Sequence, residues 1–407
     1  MAEVVERKPA KVVLRELQDK IAQDIWDAKN RGEKIGWCAS NFPQEITTAM
    51  GIQVAYPENM GAAVGAKGGG QRMCEYAEGM GYSNDICSYA RINMAYSDLK
   101  TCQEQEIPTP DFLLCCNNIC NCMIKWYENL AQDLGVPMLM LDIPFNPDYD
   151  VPDSIIEYVS AQFWDVVHQL ENLFGLKWDD DKFQEVTGFS CRASRAWLAA
   201  TACAKYTPSP FNGFDLLNHM AVMVTARGKE TAGEAMETLY KEYMENHANG
   251  TSTFRTEEKY RIMFEGIACW PYLRVTSTGL KSRGINMVTT IYADAFGFDY
   301  NSFEGMIRAY CSVPNAINLE KSRDKRIKLC KDNSVEGLLV HTNRSCKLWS
   351  GFMYEMSRQI GEACNIPVTS FDGDQADPRN FSEAQYDTRV QGLVEIMDEN
   401  KAAKGAM

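Results

Sequence analysis

Short apolar runs alternate with helix-like segments in two separate parts of this chain of 407 residues. In the first third the runs are KIGWCAS (34–40), IQVAYPE (52–58), DFLLCC (111–116) and PMLMLDIPF (137–145). In the last third they are KYRIMFEGIA (259–268), GINMVTTIYA (284–293), VEGLLVHTN (335–343) and IPVTSFDGD (366–374). Strand–helix–strand alternation is typical of parallel sheets that helices cover on both faces. The sequence therefore predicts an α/β protein with two Rossmann-like or flavodoxin-like parallel-sheet domains.

Helical periodicity fills the stretches between these runs and dominates the middle of the chain. After NNICN, apolar residues recur at i+3 and i+4 spacing up to Leu134, and Gly135 then ends the pattern. From about 153 to 250 the patterns are helical and no strand is convincing. We therefore expect an N-terminal helical segment (1–32), a first α/β domain (33–150), a mainly helical insertion (151–255) and a second α/β domain (256–407).

The two α/β parts carry similar segments, which indicates a duplication. FLLCCNNICNCMIKWYENLAQDLGVPMLMLDIPF and GLLVHTNRSCKLWSGFMYEMSRQIGEACNIPVTSFDGD both read as strand, Asn-bearing turn, cysteine, helix and strand. Cys120 and Cys346 each lie just after an apolar strand and at the start of a helix. In open α/β sheets ligands bind beyond the carboxyl ends of the strands, so both cysteines are candidate ligand-site residues.

Composition restricts the chemistry that such a site can perform. The net charge of −14 argues against nucleic acid or an anionic membrane as a partner. No window approaches about 18 uninterrupted apolar residues, and the charged N-terminal stretch lacks the apolar part of a secretory signal. Fifteen cysteines without such a signal favour a reducing cytoplasm. With only four histidines, sulfur is the expected metal ligand, either in an iron–sulfur cluster or with zinc.

Three cysteines that are far apart in sequence are the candidate ligands. A thiol at a helix N-terminus is more acidic, because the helix dipole favours the thiolate that binds metal. Cys120 and Cys346 meet this condition. Cys87 follows the turn YSND and begins a helical pattern, so it is the third candidate ligand, with Cys74 as the alternative. The neighbours of Cys120 in LLCCNNICNC are read as structural residues, with the last one pointing away from Cys120; they are Cys115, Cys116 and Cys122. No paired CxxC knuckles and no closely spaced ferredoxin run occur.

Two further stretches resemble ligand loops without having the full pattern. GAAVGAKGGGQR (61–72) lacks the Walker spacing, so we read it as a flexible surface loop. DGDQADPRN (372–380) lacks the twelve-residue calcium pattern, so we read it as a turn and a helix cap. From the residues alone, an enzyme with an open metal position, a cysteine-rich electron-transfer or scaffold protein and a zinc protein all stay possible.

Several motifs in a fixed order resemble one enzyme family over nearly the whole chain. They are GWCASNFPQE (36–45), YPEN (56–59), GYSNDICSYAR (81–91), DFLLCCNNICN (111–121), EGIACWPY (265–272), HTNRSCKL (341–348) and FDGDQADPR (371–379). The chain resembles the larger, substrate-binding subunit of the 2-hydroxyacyl-CoA dehydratases of amino-acid-fermenting anaerobes. These dehydratases share a wider family with the benzoyl-CoA reductases.

The resemblance implies the partners and the site residues. It implies a heterodimer with a second related subunit, each subunit holding a 4Fe–4S cluster, and a separate ATP-hydrolysing iron–sulfur activator that supplies one electron. It maps the cluster ligands of this chain onto Cys87, Cys120 and Cys346, with the fourth iron open to water or to the substrate carbonyl. It maps two catalytic positions onto Ser40 and Glu58, which end predicted strands.

The reaction implied by the resemblance is loss of water from an (R)-2-hydroxyacyl-CoA to give an (E)-2-enoyl-CoA. The β proton is not acidified by the thioester, and the α hydroxyl leaves from an electron-poor carbon, so one added electron is needed to form a ketyl radical that expels hydroxide. We expect Glu58 to handle the β proton or the departing hydroxide and Ser40 to orient the substrate. A ring-reducing subunit of the benzoyl-CoA reductase type is the alternative.

Overall fold

A computed structural model describes residues 8–405 of the chain, and its helices take up most of them. The helices of the first α/β part are α1 (Ala10–Asn30), α2 (Glu45–Ala49), α3 (Pro57–Ala66), α4 (Gly70–Gly79), α5 (Ser88–Leu99) and α6 (Cys122–Leu134). The middle of the chain contains α7 (Asp153–Phe174), α8 (Asp180–Thr201), α9 (Phe214–Thr225) and α10 (Glu230–Ala248). The last part contains α11 (Leu273–Lys281), α12 (Ile291–Asp294), α13 (Phe303–Tyr310), α14 (Leu319–Asp332), α15 (Lys347–Cys364) and α16 (Glu383–Gly405).

Eight strands form two separate four-stranded parallel sheets. The first sheet contains β1 (Gly36–Cys38), β2 (Val54–Ala55), β3 (Phe112–Cys116) and β4 (Met138–Leu141). The second contains β5 (Tyr260–Glu265), β6 (Ile285–Thr289), β7 (Gly337–Asn343) and β8 (Val368–Gly373). The spatial orders are β2-β1-β3-β4 and β6-β5-β7-β8, so both sheets place their four strands in the same arrangement. This shared topology supports the internal duplication that the two similar segments indicated.

The order of the strands decides where a ligand can bind. In each sheet the chain runs outward from the first strand to one edge and then crosses back to build the other side. The reversal lies between β1 and β3 in the first sheet and between β5 and β7 in the second. Crevices open at such switch points beyond the carboxyl ends of the strands. The loops after β1, β3, β5 and β7 are therefore the places to look for a site.

A buried charged cluster connects the first sheet with the helical region and the last part of the chain. Glu45, at the start of α2, is fully buried. It accepts hydrogen bonds from Ser190 Oγ on α8 at 2.6 Å, from Tyr300 Oη at 2.8 Å and from Tyr310 Oη on α13 at 2.7 Å. The fully buried Arg227 lies 4.0 Å away. These contacts hold the loop after β1 in a fixed position.

The predicted α/β class and all eight predicted strands are confirmed, together with the N-terminal and C-terminal helices. Three details of the sequence reading were wrong. The run 52–58 is a strand only at Val54–Ala55, and Glu58 lies in the first turn of α3 rather than at a strand end. The run 284–293 is a strand only to Thr289, and its last residues form the short helix α12. The stretch 61–72 is not a flexible surface loop, because α3 and α4 take up most of it. The turn-and-cap reading of 372–380 is confirmed, since Asp377 caps a short 3-10 helix at Pro378–Asn380. None of the helices within residues 8–405 has the length and the apolar character to cross a membrane.

Candidate functional site

Three loops bring cysteines to one place beyond the strand ends. Cys87 is the residue before α5, Cys346 is the residue before α15, and Cys120 lies two residues before α6. The three thiols affect one another electrostatically, which places them close together. The structure thus gathers the three cysteines that the sequence singled out, while Cys74 is buried under Ser88 and points its sulfur at that residue's carbonyl oxygen.

Cys122 belongs to the same group, contrary to the sequence reading that left it as a structural residue pointing away from Cys120. Its thiol interacts with those of Cys87 and Cys120, and the backbone N–H of Cys87 lowers its pKa. Burial has the larger effect on that pKa and raises it. The site therefore contains four thiols, two of them separated by a single residue. Cys115 and Cys116 are fully buried in β3, as predicted for packing residues.

The thiols of this group need a positively charged partner if they are to ionise. Burial raises the pKa of Cys87 well above its ordinary value, and the neighbouring thiols raise it further. Burial likewise raises the pKa of Cys346 to about 11. The backbone N–H groups at the three helix starts act in the opposite direction; they belong to Ala90, Met123 and Trp349, each three residues after its cysteine. Buried thiols that converge from separate loops fit a sulfur-ligated metal group, whose charge favours the thiolates.

The chemistry of these donors fits a sulfur-ligated cluster. An iron–sulfur cluster binds each cysteine at a different iron, and cysteine thiolates are its usual ligands. Within residues 8–405, no three His, Cys, Asp or Glu side chains lie close enough together to hold one metal ion. Three cysteines from separate loops are a donor set of the kind that an iron–sulfur cluster takes.

A carboxyl and a serine lie near the thiols: Ser40 is on the loop after β1, and Glu58 is in the first turn of α3, directly after β2. The backbone N–H of Ser40 donates to Glu58 Oε2 at 2.8 Å. Burial raises the pKa of Glu58 to about 7, and its hydrogen bonds with Ser40 lower it by a smaller amount. Glu58 also acts electrostatically on Cys120. A carboxyl with this pKa is half ionised near neutral pH, which is the condition under which a side chain can both accept and return a proton.

Two tyrosines lie close to the thiols and the carboxylate. Tyr89 on α5 accepts a hydrogen bond from Trp270 Nε1 at 2.5 Å, and it also bonds with Tyr292 on α12. Burial raises the pKa of Tyr292 above its ordinary value, and Glu58 and Cys346 raise it further. Burial raises the pKa of Tyr89 as well. Both phenols therefore stay protonated and present O–H groups near the carboxylate.

A cavity of about 830 Å³ connects these groups with solvent. Its wall contains Ser40, Glu58 and Cys87 together with aromatic rings. These rings belong to Trp126, Phe296 and Trp349. Exposed basic side chains also line it; they are Lys11 and Arg15 on α1, and Lys67. This lining suits a ligand with an apolar part and an anionic part.

The sequence reading missed several residues of this site besides Cys122. Tyr292 was assigned to a strand, although Thr290 caps a helix there and was the available signal. Gln375 lies in the stretch read as a turn, and its Nε2 donates to Cys87 Sγ at 3.2 Å. Trp126 falls within the helical pattern after NNICN; it is a core residue that also lines the cavity, and its Nε1 has no hydrogen-bond partner among residues 8–405. No local sequence pattern identifies Gln375 or Trp126 as a site residue, because their neighbours in the site come from distant parts of the chain.

The fold and the site together define an α/β enzyme subunit with a group of thiols and a carboxyl beside a substrate-sized cavity. Residues 39–397 match the family described as "2-hydroxyglutaryl-CoA dehydratase, D-component". The chain therefore belongs to this family, as the alpha subunit of a 2-hydroxyacyl-CoA dehydratase, which is a hydro-lyase.

Curated relatives match along almost the full length of the chain. The "(R)-phenyllactyl-CoA dehydratase alpha subunit" of Clostridium sporogenes is 54% identical over 400 residues, which cover 98% of both chains. The "(R)-2-hydroxyisocaproyl-CoA dehydratase alpha subunit" of Clostridioides difficile is 45% identical over 399 residues, covering 97% of this chain and 98% of that one. One of the subunits of the benzoyl-CoA reductase of Thauera aromatica is 27% identical over 344 residues, 80% of each chain. The resemblance seen in the motifs is confirmed, including the more distant relation to the reductases.

Proposed function

We propose that this chain is the cluster-bearing, substrate-binding subunit of a heterodimeric dehydratase that converts an (R)-2-hydroxyacyl-CoA into an (E)-2-enoyl-CoA. The elimination proceeds through substrate ketyl radicals after one-electron activation, in amino-acid fermentation. The observation that carries the proposal is that Cys87, Cys120 and Cys346 converge near Glu58, and that Cys87 and Glu58 line one cavity. The similarity to alpha subunits of named dehydratases supports the reaction class.

Cys87, Cys120 and Cys346 would hold the 4Fe–4S cluster, and Cys122 would stay beside it as a thiol. When bound, the cluster supplies a Lewis-acidic iron and a path for one electron. The loops that carry the three cysteines are fixed by separate helices, so the ligands are in position before the cluster binds. The partly buried surroundings limit access of water to the substrate carbonyl.

Glu58 is proposed as the base for the β proton of the substrate, or as the acid that assists departure of the hydroxide. Its pKa of about 7 suits both directions of proton transfer, because neither form is strongly favoured at neutral pH. The Ser40 backbone N–H and side chain orient the carboxylate, and the Ser40 hydroxyl would turn to bond the substrate oxygen. The protonated Tyr292 is an additional donor close to the same place.

The cavity walls and the similar dehydratases suggest the kind of substrate. An aromatic acyl group would pack against the rings of Trp126, Phe296 and Trp349, whose apolar surface gains from being covered. The exposed basic side chains of Lys11 and Arg15 in the cavity wall suit the phosphates of coenzyme A. We therefore propose an arylalkyl 2-hydroxyacyl-CoA, such as the phenyllactyl thioester, as the preferred substrate.

The proposed partners follow from the assignment as an alpha subunit. They are a second, related dehydratase subunit with its own 4Fe–4S cluster and an ATP-dependent iron–sulfur activator that docks transiently. We propose a cytoplasmic location, which is supported by the fact that all fifteen cysteines are free thiols. Neither nucleic acid nor a membrane is proposed as a partner.

The test is anaerobic co-purification of this chain with its partner subunit, followed by iron and sulfide analysis. The complex is then supplied with activator, ATP and a set of 2-hydroxyacyl-CoA thioesters, and the products are identified. We expect a redox-neutral enoyl-CoA, formed fastest from the aromatic substrate. A reduced ring formed from an aryl-CoA would instead favour the benzoyl-CoA reductase reaction, and a colourless complex that contains zinc would contradict the proposed cluster.

A further inference from the structure

We propose that Gln375 is a positioning residue for the cluster, whose side-chain N–H···S hydrogen bond to Cys87 raises the reduction potential of the cluster. This inference rests on the proposed function, because it takes Cys87 to be a cluster ligand. Gln375 is the middle residue of the motif FDGDQADPR.

The contact joins a fully buried amide side chain to a partly buried cysteine. Gln375 Nε2 lies 3.2 Å from Cys87 Sγ, and the Gln375 side chain has no exposed surface. Its Oε1 has no hydrogen-bond partner within the part of the chain that the structure describes. An amide whose oxygen is unpartnered, yet whose nitrogen is directed at a sulfur, keeps that orientation only if the sulfur is a good acceptor. A thiolate is a much better acceptor than a neutral thiol.

The backbone of Gln375 is held by one carboxylate that also holds a second cysteine loop. Asp374 Oδ1 accepts from the backbone N–H groups of Ala376 at 3.0 Å and Asp377 at 3.1 Å. Asp374 Oδ2 accepts from the backbone N–H of Ser345, the residue before Cys346, at 3.0 Å. The position of Gln375 is therefore linked directly to the loop that carries Cys346.

The same network reaches the helix that begins after Cys87. Ser345 Oγ accepts from the backbone N–H of Ser88 at 3.0 Å, and both serines are buried. The backbone O of Gln375 accepts from the N–H of Trp270 at 3.3 Å. The backbone around Gln375 and the loops of Cys87 and Cys346 thus share one set of hydrogen bonds, which holds the Gln375 backbone next to both cysteine loops.

Two glycines, in α3 and α4, lie in close contact with the residue that follows Gln375. A Cβ on Gly70 would lie 1.8 Å from the carbonyl oxygen of Ala376, and one on Gly65 would lie 2.9 Å from the Ala376 Cα. Only glycine permits such an approach of two backbones. The Ala376 backbone therefore has little room to move, so the Gln375 side chain extends towards Cys87 from a fixed backbone position.

A fixed N–H donor at a ligand sulfur affects the two redox states of a cluster unequally. One-electron reduction adds negative charge that is shared with the ligand sulfurs, and a hydrogen bond to sulfur becomes stronger as that charge grows. The reduced state gains more, so the potential rises. Removal of the donor lowers the potential, and it also strengthens the Fe–S bond to Cys87, because the sulfur then gives more of its electron density to iron.

The test uses the purified complex with its partner subunit and two variants, Gln375→Leu and Gln375→Glu. Leu removes the amide at a similar size, and Glu keeps the shape but replaces the donor with an acceptor. The measurements are iron and sulfide content, the reduction potential by a titration followed with electron paramagnetic resonance, and the Fe–S stretching frequencies by resonance Raman spectroscopy. The matched control is Asn333→Leu, which removes a buried amide that donates to the Leu329 carbonyl oxygen and to no thiol.

We expect both Gln375 variants to keep full iron, with a potential that is lower than that of the wild type and an Fe–S stretch at higher frequency, while the control changes neither. An unchanged potential in both variants with full iron would overturn the proposal. Loss of iron from both variants would overturn it as well, because Gln375 would then hold the cluster rather than tune it. If the wild-type complex itself contains no iron, the proposed function fails and the two failures are distinguished.

Discussion

Replacement of Glu58 by Gln tests two separate properties of this carboxyl: its role in turnover and its effect on the free energy of unfolding. Burial raises the pKa of Glu58 to about 7 from its ordinary 4.5. An ionised carboxyl with such a pKa destabilises the folded state by about 3 kcal/mol. The isosteric amide still accepts the Ser40 N–H through its Oε1, so the main change is the removal of a poorly solvated charge.

The sign of the effect on stability follows from the raised pKa. Below about pH 4.5 the carboxyl is protonated in both the folded and the unfolded chain, so Glu58 does not lower the free energy of unfolding there. As the pH rises from 4.5 to 7 the unfolded chain loses its proton first, and the stability of the wild type falls. We therefore expect Glu58→Gln to unfold at a higher denaturant concentration than the wild type at pH 8, with an advantage of about 3 kcal/mol that nearly disappears at pH 5.

The same substitution should reduce turnover by about a hundredfold or more, the usual contribution of a general acid or base. In the wild type, kcat/KM should fall tenfold per pH unit below about pH 7 if ionised Glu58 is the base. The control is Asp215→Asn, which changes a second carboxyl of the cavity wall, one that accepts from Thr253, and should leave this pH limb in place. Near-normal turnover of a cluster-replete Glu58→Gln complex, or an equal stability gain at pH 5 and pH 8, would refute the reasoning.

Three further predictions concern residues that hold the site in position or bind the cluster. Glu45→Gln should destabilise the chain by about 3–5 kcal/mol in chemical denaturation, because it removes the charge that three hydroxyls and a buried arginine surround. Gly70→Ala should lower the unfolding midpoint and reduce the bound iron, whereas Gly188→Ala, which meets no atom within 4 Å, should do neither. Cys120→Ser should lose most of the iron in a colorimetric assay, and Cys364→Ser, at the far end of α15, should keep all of it.

Local pattern was sufficient for the fold class. Most strands of the two sheets are short apolar runs whose composition predicts burial on both faces, as in the wholly buried β3, whereas the edge strand β8 is partly exposed. The strand end at 284–293 could not be read from the sequence, because Ile291 and Ala293 are apolar in the helix as they would be in a strand. The glycine-rich segment 61–72 was read as a flexible loop, but two of its glycines instead allow helices α3 and α4 to contact the backbone of Ala376. Ala376 lies about three hundred positions away, so the sequence near the glycines does not show this contact.

The sequence by itself determined the eight strands, the three helix-start cysteines and the family. These depend on neighbours a few residues apart, whose spacing and chemistry are visible in one dimension. Only the tertiary structure decided that Cys122 joins the thiol group and that Glu58 has a raised pKa. It alone placed Gln375 against Cys87, which lies 288 positions away. Electrostatics and hydrogen bonding depend on distance in space and on the exclusion of water, and neither is fixed until both sheets and their loops have packed together.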